Sequence, residues 1–370
     1  MEPEFIKVAT PDVGEEEAAA VREVLLAGNF VSGAKVREFE KRYADYIGVK
    51  HVVAVNSGTA ALHIALESMG VNEGDEVIVP PLTFFATVSA VLYLRAVPIF
   101  ADIGLDDLCL SPQSVQEKIT PNTKAIIPVH LFGAAAKMDY FLLLADKYKI
   151  PILEDCAQAH GTEYRGEKVG AIGKAGAFSF FATKHMTTGE GGAITTNDDE
   201  IAEKARIIRN HGLVGRDQHV ALGFNNRMTE IEAAMGLIQL RKLDELNARR
   251  IANSEYLLSV LSQLKWVKVP GLNKHARHTY FWCPLMIDEH ETYRKIEDLK
   301  LCLRENKIGF RQRYQEPLYK QEVLKNLGLD YSHLYLPNVE SVAGKILGLP
   351  NHSGLSKPEL DRIIAVLKEF

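Results

Sequence analysis

From His51 onward, short apolar runs alternate with stretches of helical period, and this alternation constrains the fold more than any other feature. The runs fall at 51–55, 76–80, 97–101, 124–129, 151–155, 177–181 and 192–196. Helical periods at about 58–70, 84–95, 111–118 and 137–148 separate the first five. Strand and helix alternating in this way predict an α/β domain with a mostly parallel, seven-stranded sheet. Strands this apolar are expected to be covered on both faces. In open α/β sheets ligands bind beyond the carboxyl ends of the strands, so those ends are where chemistry is sought.

Two amphipathic helices, 14–27 and 34–47, precede the alternation. Their link, Gly28 to Gly33, exposes Phe30 and reads as a cover for a pocket or partner, or as a plain connection. A further helix over 198–210, a polar loop from Gly215 to Asn226 and a long amphipathic helix over 228–264 follow. Beyond Val269-Pro270-Gly271 the pattern suits a smaller α+β domain. Strands at 278–287 and 308–313 flank a helix at 291–306, and helices at 338–347 and 356–369 close the chain. The expected division is therefore 1–264 and 265–370.

Composition narrows the function classes. A formal net charge of −5 supplies no strong field for nucleic acid or membrane. No apolar stretch is long enough to span a bilayer. Met1 to Phe5 lacks the basic and apolar regions of a signal peptide. Cys109, Cys156, Cys283 and Cys302 are scattered without a Cys-x-x-Cys pair, which reads as inert thiols in a reducing compartment. The expectation is a cytoplasmic protein that binds neither nucleic acid nor membrane.

The strand ends carry the chemistry-bearing residues. Ser57-Gly58-Thr59 opens a helix after the first run. Free N–H groups, hydroxyls and the dipole make it a phosphate seat, or else Ser57 is an ordinary cap. Phe84, after the second run, is placed to stack on a flat ring or to pack in the core. Glu154-Asp155 closes the fifth run, where carboxylates are costly unless used or paired. Period-2 alternation puts them on opposite faces, and Asp155 is the one expected to face the site. His160 reads equally as a ligand-side group or a satisfied core histidine. Lys184 follows the aromatic run Ala177 to Phe181 and precedes the turn Gly189-Glu190-Gly191-Gly192. Desolvation there lowers its pKa and makes it a nucleophile for a carbonyl, although a surface lysine at a strand end fits as well. Gly309 to Tyr314 is cationic and aromatic, suiting a phosphorylated ligand or a solvated strand edge. A phosphate seat, a stacking aromatic, an acid and a lysine at one sheet edge together describe a site for pyridoxal 5'-phosphate.

At these residues the chain resembles the DegT/DnrJ/EryC1/StrS sugar aminotransferases, which have the aspartate-aminotransferase (type I) fold. The resemblance covers essentially the whole chain. It is carried by Ser57 to Leu62, Glu154 to Ala159, Phe178-Ser179-Phe180 with Lys184, Gly189 to Gly192, and Leu222 to Asn225 with Arg227 to Glu230. It implies Lys184 as the Schiff-base lysine, Asp155 on the pyridinium nitrogen and Gln158 near the ring hydroxyl. Phe84 takes the stacking place, and Gly58, Thr59 and Ser179 would hold the phosphate. Asn225 would reach the phosphate site of the neighbouring subunit, implying a homodimer with shared sites. The implied substrates are a nucleotide-diphosphate keto sugar and glutamate. The Asn225 to Glu230 stretch looks more like the C4-aminating branch, as in perosamine synthases. Related dehydratases carry histidine in place of the lysine. Here His185 follows Lys184, but the five-residue step from Ser179 aligns Lys184. A pyridoxal-phosphate-dependent keto-sugar dehydratase and a non-catalytic regulatory protein on the same fold are the alternatives. Stretches 28–33, 215–221 and 309–320 are the candidates for the sugar-nucleotide contacts.

Overall fold

The computed structural model describes residues 4–271, 273–288 and 290–370. Met1 to Pro3 of the N-terminal segment, and Leu272 and Glu289 of the expected smaller domain, lie outside the described residues. Seven strands build the chemistry-bearing edge: β1 (His51–Val55), β2 (Glu76–Val79), β3 (Val97–Phe100), β4 (Thr123–Ile126), β5 (Leu153–Asp155), β6 (Ala175–Ser179) and β7 (Gly192–Thr196). β2 pairs in parallel with β3 and β4, and β5 with β6. Two single parallel bridges, Ile126 to Ile152 and Val129 to Asp155, carry the pairing from β4 across to β5. β7 runs against both of its neighbours, β6 and β1. No helix intervenes between β6 and β7, so the chain returns antiparallel.

The helices α1 (Glu15–Ala27), α2 (Ala34–Ile47), α3 (Gly58–Ser68), α4 (Ala86–Tyr93), α5 (Pro112–Lys118), α6 (Met138–Tyr148) and α7 (Asp199–Ile208) match the periodicity closely. β6 differs from the expected 177–181. It begins at Ala175-Gly176, residues too small to signal a strand. A Cβ on Gly176 would lie 2.5 Å from Thr195 Oγ1 and 2.6 Å from Gly170 Cα, so the close backbone contact demands glycine. The aromatic end of the run is core without being ladder. Phe180 is fully buried and meets Phe39 and Tyr43 of α2 edge-on, each at 5.3 Å between centroids. Such pairs add about 0.5–1.5 kcal/mol beyond their burial.

α8 (Glu230–Leu261) spans 32 residues and serves both cores. Leu243 belongs to the core around the seven strands, while Leu257 and Leu261 belong to a second one. Its start is secured twice. Thr229 Oγ1 accepts from Glu232 N–H at 3.2 Å, and Glu232 Oε2 accepts from Thr229 N–H at 2.6 Å. Glu230 in turn accepts the N–H groups of Gly33, Lys35 and Val36 at 2.9–3.0 Å, capping α2 from almost two hundred residues away. The start of α8 is thus tied to α2 of its own chain.

The second core holds an antiparallel sheet of β8 (Val267–Lys268), β9 (Cys283–Ile287), β10 (Arg311–Gln312) and β11 (Ile346–Leu349), in the order β8-β9-β11-β10. α9 (Ile296–Glu305), α10 (Glu322–Asn326), α11 (Pro337–Val342) and α12 (Lys357–Glu369) complete the chain. The helix expected over 338–347 is cut short. Gly344, at φ +76°, turns the chain, and Ile346 to Leu349 become a fully buried central strand. The boundary between the cores does not follow the chain. Ile6 pairs beside Ile308 and joins the second core. Conversely, Leu318 N–H donates to Pro81 O at 2.8 Å and Val339 N–H to Asp102 Oδ1 at 3.0 Å, fastening that stretch to the first. Among the described residues no helix is long and apolar enough to cross a membrane. All four cysteines are free thiols, three of them buried.

Candidate active site

A cleft of about 330 Å³ opens where α3, the ends of β5 and β6 and the segment after β10 converge. Gly58, Thr59, Phe84, Asp155, Gln158, Ser179 and Lys184 all line it. Its floor is set by close approaches. A Cβ on Gly58 would lie 2.6 Å from Ser179 Cβ, and one on Gly192 would lie 2.3 Å from Ser57 O. Only glycine lets the α3 N-terminus sit directly against β6 and β7. Ser57 Oγ accepts from Ala60 N–H at 3.1 Å, so it is an N-cap. The first-turn N–H groups of Gly58 and Thr59 have no intrahelical acceptor and sit beside the Thr59 and Ser179 hydroxyls. This cradle has the donor chemistry and the positive dipole end that a phosphate requires.

Asp155 is nearly fully buried and oriented from two sides. Thr87 Oγ1 donates to Oδ2 at 2.8 Å and Ala157 N–H to Oδ1 at 3.1 Å. Burial pushes its pKa up, opposed by those two bonds and by the Lys184 charge. Glu154 points to the other face, as alternation predicts. It accepts from the N–H groups of Ile172 (2.9 Å) and Gly173 (2.7 Å) and meets His130 Nε2 at 3.0 Å. His130 Nδ1 accepts from Ala136 N–H at 3.1 Å, which places the imidazole proton on Nε2 and makes it the donor to Glu154. The His130–Glu154 pair, with Cys156 beside it, is a satisfied core network.

Lys184 lies on the connection between β6 and β7, half-buried. Burial lowers its pKa to about 8; the Asp155 carboxylate opposes this and the Arg313 guanidinium adds to it. About a tenth of the amine is then neutral at pH 7, far more than at an ordinary lysine, and the neutral form is what a nucleophilic amine needs. Gln158 accepts from Phe132 N–H at 3.0 Å and donates to Tyr314 OH at 3.3 Å, fixing its amide in the wall. Phe84 stands at the rim, 57% exposed.

Three other residues lie outside the lining of the cleft. Asn225 does not line the cleft; it is exposed and bridges to Asn210 through its backbone. His160 is core, packed among Phe178, Phe180 and His185 at 5.5–5.8 Å, where burial drops its pKa to about 3. His185 is also buried, outside the cleft, whereas Lys184 lines it. Of the three candidate substrate stretches, 309–320 brings Arg313 and Tyr314 into the cleft, and 28–33 and 215–221 do not reach it within one chain. Sequence reasoning missed Thr87, Phe281 and Trp282. Thr87 stands three residues after Phe84 in the sequence. Phe281 and Trp282 were absorbed into the strand read over 278–287, although consecutive aromatics were a signal in themselves.

The profile of the DegT/DnrJ/EryC1/StrS aminotransferase family matches residues 11–368. The chain belongs to this family. It is 38% identical to the GDP-perosamine synthase of Caulobacter vibrioides, over 98% of each chain. Among solved structures, S. venezuelae DesV superposes with a TM-score of 0.91 at 35% identity, covering 96% of this chain and 94% of DesV. Spr1654 of Streptococcus pneumoniae in its PLP form superposes with a TM-score of 0.91 at 28% identity, covering 99% and 98%. The protein is accordingly an aminotransferase of α/β fold.

Proposed function

We propose that this aminotransferase uses pyridoxal 5'-phosphate to move an amino group from glutamate to a nucleotide-diphosphate-linked keto sugar, at C4 of a 4-keto-6-deoxyhexose. The observation that carries the reading is the convergence of Lys184, Asp155 and the Gly58–Thr59–Ser179 cradle on one cleft. The GDP-perosamine synthase relative supports a nucleotide-linked sugar substrate, and the PLP form of a structural neighbour supports the cofactor. In this reading the fold is of the aspartate-aminotransferase type with a seven-stranded sheet, and the domains are 1–264 and 265–370.

When bound, pyridoxal phosphate supplies an electron-withdrawing ring that stabilises negative charge on the substrate carbon as its proton leaves. Gly58, Thr59 and Ser179 would hold its phosphate and Lys184 its carbonyl carbon. Asp155 would face the ring nitrogen, and Gln158 and Phe84 would flank the ring. Thr87 and Ala157 keep the Asp155 carboxylate aimed, so a proton on its partner is retained by charge and orientation together. Lys184, with its pKa lowered to about 8, takes and returns the proton at the substrate carbon. Arg313 lines the cleft and would offer its guanidinium to an anionic group of the incoming substrate. The site would be completed by a second copy of the chain, whose Asn225 reaches the phosphate.

Incubation with glutamate and a panel of nucleotide-linked 4-keto sugars, followed by mass spectrometry, tests the reading. An amino sugar formed with stoichiometric 2-oxoglutarate is expected. A dehydrated sugar, or no product across the panel, overturns it.

A further inference from the structure

The amine of Lys184 lies 4.7 Å from the centroid of the Phe281 ring. That ring is held from several sides. It stacks on Trp282 at 4.7 Å and 29°, packs beside His185 at 5.7 Å, and its backbone N–H donates to Phe132 O at 2.7 Å. It is 3% exposed, and it lines the cleft that Lys184 enters. No carboxylate among the described residues lies within ion-pair distance of the Lys184 amine. Asp155, the nearest acid by its influence, is occupied by Thr87 and Ala157. The aromatic face is therefore the direct partner of this amine.

We propose that Phe281 is a positioning residue for the catalytic amine: its ring face receives Lys184 whenever the lysine is free and holds it as the ammonium. This rests on Lys184 being the catalytic lysine of the proposed reaction. A lysine released from covalent duty in a cleft has three rotatable donors and much side-chain freedom. A fixed ring face gives it one resting place beside the reacting centre, and the ring quadrupole favours its charged form. The other charged groups around it are Asp155 at the end of β5, which favours the charge, and Arg313 after β10, which opposes it. Glu190 lines the same cleft, while His160, His185 and Arg250 pack behind, both histidines held neutral by burial. Burial and Arg313 push Lys184 toward the neutral form. Phe281 pulls the other way, so it sets how readily the lysine gives up a proton.

The test is the titration of Lys184 in the cofactor-free protein. It is read from the pH dependence of competitive acetylation by acetic anhydride at the Lys184 peptide, by mass spectrometry. Phe281→Leu keeps an apolar wall but removes the quadrupole. Its Lys184 midpoint should fall by roughly half to one and a half pH units below wild type, the size of a desolvated cation–π contact. Phe281→Tyr should restore it. Stepwise fluorination of Phe281 keeps the shape, so it covers the case in which the leucine variant folds poorly, and should lower the midpoint progressively. An unchanged midpoint on fluorination, or an equal shift in the tyrosine variant, overturns the proposal. Because no cofactor or substrate enters the measurement, its failure is separable from failure of the proposed reaction.

Discussion

At the scale of residues, the site is a set of groups held against their solution preferences. Lys184 illustrates the cost. Its folded-state pKa of about 8 lies below the usual 10.5, so the unfolded chain binds the extra proton between those values. Stability of the cofactor-free protein must then rise with pH from about 8 to about 10.5. Lys184→Met should be more stable than wild type at pH 7 and lack that rise, as chemical denaturation at several pH values will show. The same variant, like Lys184→Ala, should lose more than about a thousandfold in transamination, since nucleophile and proton carrier go together. Asp155→Asn should lower kcat about a hundredfold or more while leaving cofactor phosphate contacts intact, measured by steady-state kinetics at saturating cofactor. Most of these groups were legible in the sequence because each sits at a strand end beside a residue pattern with a physical demand. Lys184 follows a core run, Asp155 alternates with Glu154, and Gly58 opens a helix. Phe281 and Trp282 were not, because they reach the cleft from a distant part of the chain, and only tertiary packing brings them to Lys184.

At the scale of elements, hydrophobic period located nearly every helix and strand of the first two hundred residues. It failed where packing, not period, decides. β6 starts on Gly176 because Thr195 and Gly170 leave no room for a side chain. Ile346 to Leu349 is too short an apolar run to distinguish from the end of a helix until its pairing with β9 and β10 is seen. The capping of α2 by Glu230 was equally invisible, since the carboxylate arrives from α8. That cap predicts a mutational effect. Glu230→Ala removes three charge-assisted hydrogen bonds from buried or half-buried N–H groups and should cost about 2–4 kcal/mol in urea unfolding. Glu230→Gln should cost less, because one oxygen remains.

At the scale of the whole molecule, a single chain leaves a ridge of apolar side chains in water. Leu222 is 80% and Tyr93 62% exposed, and Tyr93 and Phe224 both pack against His63. This ridge, with Asn225 beside it and outside its own cleft, suits a homodimer whose partners complete each other's sites. Mixing inactive Lys184→Ala and Asn225→Ala dimers under exchanging conditions should then restore about a quarter of wild-type activity, because half the dimers carry one intact site of two. No recovery would place Asn225 outside the shared site. The claim on which the account turns is that Lys184 and the surrounding cleft run an amino-transfer half-reaction on pyridoxal phosphate. The most direct measurement is the visible absorption spectrum of the cofactor-loaded protein before and after glutamate. The account predicts a visible cofactor band that fades with glutamate, returns with a nucleotide-linked 4-keto sugar, and does neither in Lys184→Ala. A wild-type protein with no such band, or a Lys184→Ala protein that responds to glutamate as wild type does, would contradict it.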